Sequence, residues 1–130
     1  MILVLDIGNT NITLGVYEGD RLLFSSRMAT ERRRMEDQYA IELREILDIH
    51  GISLKQISGA AVSLVVPSVN QAIRRAIRRL TGLNPVCVGP QTKTGIKVDI
   101  QNSEATGADL VVGCVAAAAH LDGPCIILDM

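Results

Sequence analysis

Two short motifs near opposite ends of the chain carry the side chains best suited to chemistry. Asp6-Ile7-Gly8-Asn9-Thr10 follows the aliphatic run at 2–5. Gly8 suits a tight turn in which backbone N–H groups and the short side chains of Asn9 and Thr10 point at phosphate oxygens. The Asp6 carboxylate suits a hydrated Mg²⁺. The same residue types also serve ordinary hairpin turns. Gly107-Ala108-Asp109 opens an apolar segment. A carboxylate there fits a general base for a substrate hydroxyl, the acid–base role that phosphoryl transfer needs beyond metal and positioning. An acid in a first helical turn is also stabilised by the macrodipole alone, with Thr106 as a cap. His50 and His120 lack Cys or carboxylate partners at ligand spacing, which argues against zinc. Arg32-Arg33-Arg34 and the set Arg74, Arg75, Arg78 and Arg79 read as solvated faces.

The elements that must position these motifs follow from hydrophobic periodicity. Residues 2–5, 12–18 and 21–28 predict a three-stranded meander, with the DIGNT turn between its first two strands. Apolar residues at helical spacing predict a helix over 34–50, stopped by Gly51. A strand is expected over 57–66, ended by Pro67, and then a helix capped by Ser68 whose stripe is Val69, Ala72, Ile73, Ala76, Ile77 and Leu80. Strands are expected at 85–88 and 95–100, and a helix at 106–120 that is apolar on every side. CIILD at 125–129 repeats the ILVLD pattern of 2–6, an aliphatic strand running into an aspartate. Strands in a meander and then alternating with helices predict an α/β domain with a mixed sheet.

The composition narrows the partners. The chain has 130 residues, a formal net charge of −1 and 48% hydrophobic residues. Tyr17, Phe24 and Tyr39 are its whole aromatic inventory. Stacking platforms for single-stranded nucleic acid are therefore not expected, and the near-zero charge lacks the phosphate attraction of a basic protein. Cys87, Cys114 and Cys125 show no CxxC spacing and lie in apolar runs, which fits a reducing, cytoplasmic setting. The N-terminus lacks the form of a signal peptide, and no apolar run reaches the roughly 18 residues of a membrane span.

Together, MILVLDIGNTNITLGVY at 1–17, SLVVP at 63–67, GIK at 95–97, TGAD at 106–109 and CIILDM at 125–130 resemble the type III pantothenate kinases. These belong to the actin, Hsp70 and sugar-kinase superfold. The resemblance implies a ribonuclease H-like or actin-like domain over 1–121, with 122–130 as the first strand of a second domain. It implies ATP-dependent phosphorylation of pantothenate, the first committed step of coenzyme A synthesis, by a cytoplasmic homodimer using Mg²⁺ and a monovalent cation, K⁺ or NH₄⁺. Carried over by position, Asp6 organises metal and phosphates, and Gly8, Asn9 and Thr10 form the first phosphate loop. Gly107, Ala108 and Ile100 border the pantothenate, Asp109 is the base, and Asp129 opens a second phosphate loop at the metal.

Two positions depart from the family pattern. Leu110 stands where many members have arginine, and Ile100 where a tyrosine is often found. Alternative readings are another phosphotransferase or phosphohydrolase of the same superfold, or a phosphate-binding module without chemistry. Because the family's second domain begins at the final strand, the 130 residues on their own are expected to have little kinase activity.

Overall fold

In a computed structural model the described residues are 1–64, 67–89, 92–97, 99 and 107–128. Five strands, β1 (Ile2–Ile7), β2 (Asn11–Glu18), β3 (Arg21–Ala29), β4 (Gly59–Leu64) and β5 (Val86–Val88), form one sheet in the order β3-β2-β1-β4-β5. The first three are the expected antiparallel meander, while β1–β4 and β4–β5 pair in parallel. Helices α1 (Glu36–Ile49) and α2 (Pro67–Thr81) lead into and out of β4, and α3 (Ala108–His120) follows β5. The mixed α/β architecture expected of an actin-like domain is present.

Side chains alternate across a strand, so the two sheet faces have different fates. Leu3, Leu5 and Ile7 of β1, Ile12, Leu14 and Val16 of β2, and Ala60 and Val62 of β4 build one core. Tyr39, Leu43 and Leu47 from α1 and Val69, Ile73 and Ile77 from α2 join them. Burying each such Leu or Ile stabilises the fold by ~1.5–3 kcal/mol, which holds both helices on this face. Residues one step along the same strands, Val4, Asp6, Thr13, Gly15, Ala61 and Ser63, belong to the opposite face. There α3 packs against β4 and leaves a cleft.

The ends of α1 follow from local chemistry. Gln38 Oε1 accepts a hydrogen bond from the Met35 N–H at 3.0 Å. Gly51, at φ 70°, lets Gly51 N–H reach Asp48 O and Ile52 N–H reach Leu47 O, which satisfies the last carbonyls. The ring of His50 stacks on Phe24 of β3.

Several elements differ from expectation. Helix α2 starts at Pro67, so Ser68 lies within its first turn and is not its cap. Proline at a first helical position loses no internal bond, because that N–H has no helical partner. Val65 and Val66, expected in the preceding strand, lie outside the described residues. No strand forms at 95–97 or 99; Gly95 turns the chain at φ 85°, which ends any extended run. Position 100 and the Thr106 cap lie outside the described residues, and Gly107 is the N-cap of α3.

Of α3, only Ala108 and Val111 are buried, because the helix touches the sheet through its first turns alone. The strand expected at 125–129 is not formed by residues 125–128. No described strand runs beside them to complete a ladder, and Ile126 and Leu128 are 90% and 85% exposed. Arg74, Arg75, Arg78 and Arg79 are exposed, as expected of a solvated face, and Arg34 is half-buried. Arg34, Arg75 and Arg79 also make ion pairs. They pair with Glu42, Glu36 and Asp37 of α1, and Arg34 also lies over the Tyr39 ring.

Candidate active site

The Asp6 carboxylate stands near the C-terminal end of β1, on the face away from the main core. Its strand neighbours in register are Thr13 on β2 and Ser63 on β4. Arg27 on β3 is in turn paired with Thr13. One polar row, Arg27–Thr13–Asp6–Ser63, therefore crosses four strands on the same face.

Beyond Asp6 the chain reverses through Asn9 and Thr10, both exposed. Gly8 N–H donates to Asn11 O at 3.0 Å, closing the hairpin. The glycine here does not take a left-handed conformation. Its requirement is one of approach, since a Cβ at position 8 would lie 3.1 Å from Asn11 O.

This loop is tied down from behind. Thr30, just past β3, donates its hydroxyl to Gly8 O at 2.8 Å, and its N–H to Thr10 O at 2.8 Å. The next residue is held by α1: the fully buried Tyr39 donates its hydroxyl to Glu31 O at 2.8 Å and accepts from Glu31 N–H at 3.1 Å. Burial pushes the Tyr39 hydroxyl above its ordinary pKa of 10.0, against the lowering effects of the Glu31 backbone bond and the Arg34 charge. Two carbonyls of the loop are thus fixed, which leaves the side chains of Asn9 and Thr10 facing solvent.

Asp109 lies in the first turn of α3, half-buried, with Oδ1 accepting from Leu110 N–H at 2.9 Å. Asp6 and Asp109, remote in sequence, line one cleft of about 440 Å³. Thr13, Ser63, Ala61, Val88 and Val112 share its walls, and Tyr17, Leu22 and Ser25 line it too. Gly107 and Ala108 are not among the lining residues, and Ala108 is 3% exposed, its methyl packed inward. At Gly107 a Cβ would run into the Asp109 carboxylate, so the absence of a side chain there is what lets Asp109 hold its position. Leu110 is half exposed. Ile100 and Asp129 lie outside the described residues.

Sequence reasoning missed Thr13, Ser63, Thr30 and Tyr39. For Ser63 a signal was present, since it is the one polar side chain in the otherwise apolar Gly59–Leu64. Thr30 and Tyr39 act through backbone groups distant in sequence, which no local pattern encodes.

Comparison with known proteins identifies a family. The family model described as Type III pantothenate kinase matches residues 2–130. A curated protein of that name from an Exiguobacterium species is 40% identical over 129 residues, covering 99% of this chain and 51% of its own length. The chain therefore spans about half the length of this curated relative. Among solved structures, the ROK hexokinase from Thermus thermophilus is 21% identical with a TM-score of 0.49, covering 72% of this chain and 36% of its own. With the family match running along almost its entire length, the chain belongs to the type III pantothenate kinase family.

Proposed function

We propose that this chain supplies the Asp6 and Asp109 side of a site that transfers a phosphoryl group from ATP to pantothenate, in the first step of coenzyme A synthesis. The observation that carries the reading is the meeting of these two carboxylates in one cleft. Family membership supports the choice of substrate.

The residues have separable tasks. The Gly8-Asn9-Thr10 loop binds phosphate oxygens through backbone N–H groups and short side chains. Its shape is held by the Thr30 bonds to the Gly8 and Thr10 carbonyls. Asp109 takes the proton from the pantothenate hydroxyl as that oxygen attacks, and the Gly107–Ala108 backbone and Ile100 border the acceptor. Among the described residues no group of three or more His, Cys, Asp or Glu gathers to cage a metal. That suits Mg²⁺, which typically keeps its waters and binds through one or two carboxylates plus substrate phosphates. Asp6, with Asp129, would hold it, and when bound the ion neutralises phosphate charge. A monovalent cation, K⁺ or NH₄⁺, a homodimeric assembly, a division at residue 121 and a cytoplasmic location complete the reading. No described helix is long and apolar enough to cross a membrane.

The test is phosphoryl transfer from ATP to a panel of hydroxyl acceptors by the full-length gene product. Pantothenate is expected to be the acceptor that turns over. Preference for another hydroxyl, or for water, would replace this reading with a different phosphotransferase or a phosphohydrolase.

A further inference from the structure

Ser63 stands out on the cleft floor because the fold gives no reason for its hydroxyl. The residue is 7% exposed, and its Oγ has no hydrogen-bond partner among the described residues. Its strand, GAAVSL, is otherwise built from glycine and aliphatic residues, so an alanine at this position would pack as well. A buried hydroxyl with no partner carries its desolvation cost uncompensated, and native structures hold few such groups. Register puts Ser63 directly beside Asp6 and on the same face, and it lines the cleft shared by Asp6 and Asp109.

The cleft's chemistry indicates what the hydroxyl serves. Ionised Asp6 and Asp109 offer only acceptors. Among the described lining residues there is no Lys, Arg or His. The side-chain donors are the hydroxyls of Thr13, Tyr17, Ser25 and Ser63, and of these Ser63 alone is buried. An anionic oxygen brought over this floor needs donors, and a donor buried with its hydrogen uncommitted pays no reorganisation on binding.

We propose that Ser63 is a ligand-binding residue of the cleft, donating its hydroxyl hydrogen to an oxygen of the nucleotide's phosphoryl group. This rests on the phosphotransferase reading above, and its test separates the two. Because the hydroxyl is unsatisfied in the free protein, its removal has the opposite sign for stability and for binding. That combination distinguishes a ligand contact from a structural hydrogen bond.

The experiment compares the full-length wild type with Ser63→Ala and Ser63→Thr, measuring the thermal midpoint without ligand and ATP affinity by calorimetry. For Ser63→Ala we expect a midpoint equal to or above wild type and ATP binding weaker by about tenfold, the scale of one lost charge-assisted hydrogen bond. Ser63→Thr, which keeps the hydroxyl, should recover most of the affinity. Wild-type ATP affinity in Ser63→Ala overturns the assignment of Ser63 alone. A wild type that binds no ATP overturns the nucleotide reading and the Ser63 contact with it. Should Ser63→Ala lose stability as well as affinity, the hydroxyl serves the fold and the assignment is overturned.

Discussion

Replacing Tyr39 with phenylalanine tests whether α1 holds the segment that braces the Gly8–Thr10 loop. Tyr39 is fully buried, so phenylalanine fills the same space and leaves no cavity. What disappears is the hydroxyl that donates to Glu31 O and accepts from Glu31 N–H. Two hydrogen bonds at ~0.5–1.5 kcal/mol net each give a loss of about 2 kcal/mol. Over 130 residues, an unfolding entropy of ~2.1 cal/mol/K per residue turns this into a midpoint lower by about 7 °C.

The same substitution has a signature in pH. Burial raises the Tyr39 pKa above 10.0, so in alkali the unfolded chain releases this proton before the folded one does. Between the two values the unfolded state binds fewer protons, and wild-type stability falls as pH rises through that window. Below it the hydroxyl is neutral in both states and adds no slope. Tyr39→Phe lacks this term, so its deficit against wild type should shrink as pH climbs past 10.0. Thermal unfolding of both proteins near neutrality and in alkali provides the measurement. A variant as stable as wild type near neutrality would refute the brace, and a deficit that stays constant into alkali would refute the burial argument.

Two further substitutions probe the site from either side. Thr30→Val removes the bond to Gly8 O but keeps the N–H to Thr10 O, and is expected to lower stability by about 1 kcal/mol. The Gly8 amide should then exchange faster with solvent, and ATP affinity should fall, with both restored in Thr30→Ser; unchanged exchange would show that Thr30 does not hold the loop. Gly107→Ala places a methyl against the end of the Asp109 side chain, which can swing away at small cost. Its stability should stay within about 1 kcal/mol of wild type, the scale of an N-cap change. Its kcat should fall by at least about tenfold, since a small misplacement of a reacting group is enough for that; a normal kcat would mean that the Asp109 position is not critical.

The sheet and its two covering helices were legible because their patterns are strong. Alternation through 12–18 and the stripe of α2 each point to one element on one face, and Gly51 marks a helix end by a conformation few other residues take. Asp6 and Asp109 were visible as candidates, but only the family resemblance, and no local pattern, implied that they meet: their meeting follows from α3 packing on β4 at the face opposite the main core. Legibility failed where a residue's role depends on backbone distant in sequence. Thr30 binds carbonyls at 8 and 10, and nothing around Thr30 reveals it. Gly8 was read as a tight-turn residue, and what requires it there is the nearness of Asn11 O. The aliphatic run at 125–128 reads as a strand from its side chains, but a strand also needs a neighbour for its backbone.

The central claim is that Asp109, brought to the same cleft as Asp6, takes the proton of the attacking hydroxyl. Single-turnover transfer of the terminal phosphate of ATP to pantothenate, measured for the full-length gene product and its Asp109→Asn variant, tests it most directly. Loss of the base should slow transfer by ~10²–10⁴-fold, with ATP affinity close to that of wild type. Transfer within a few-fold of the wild-type rate would contradict the account.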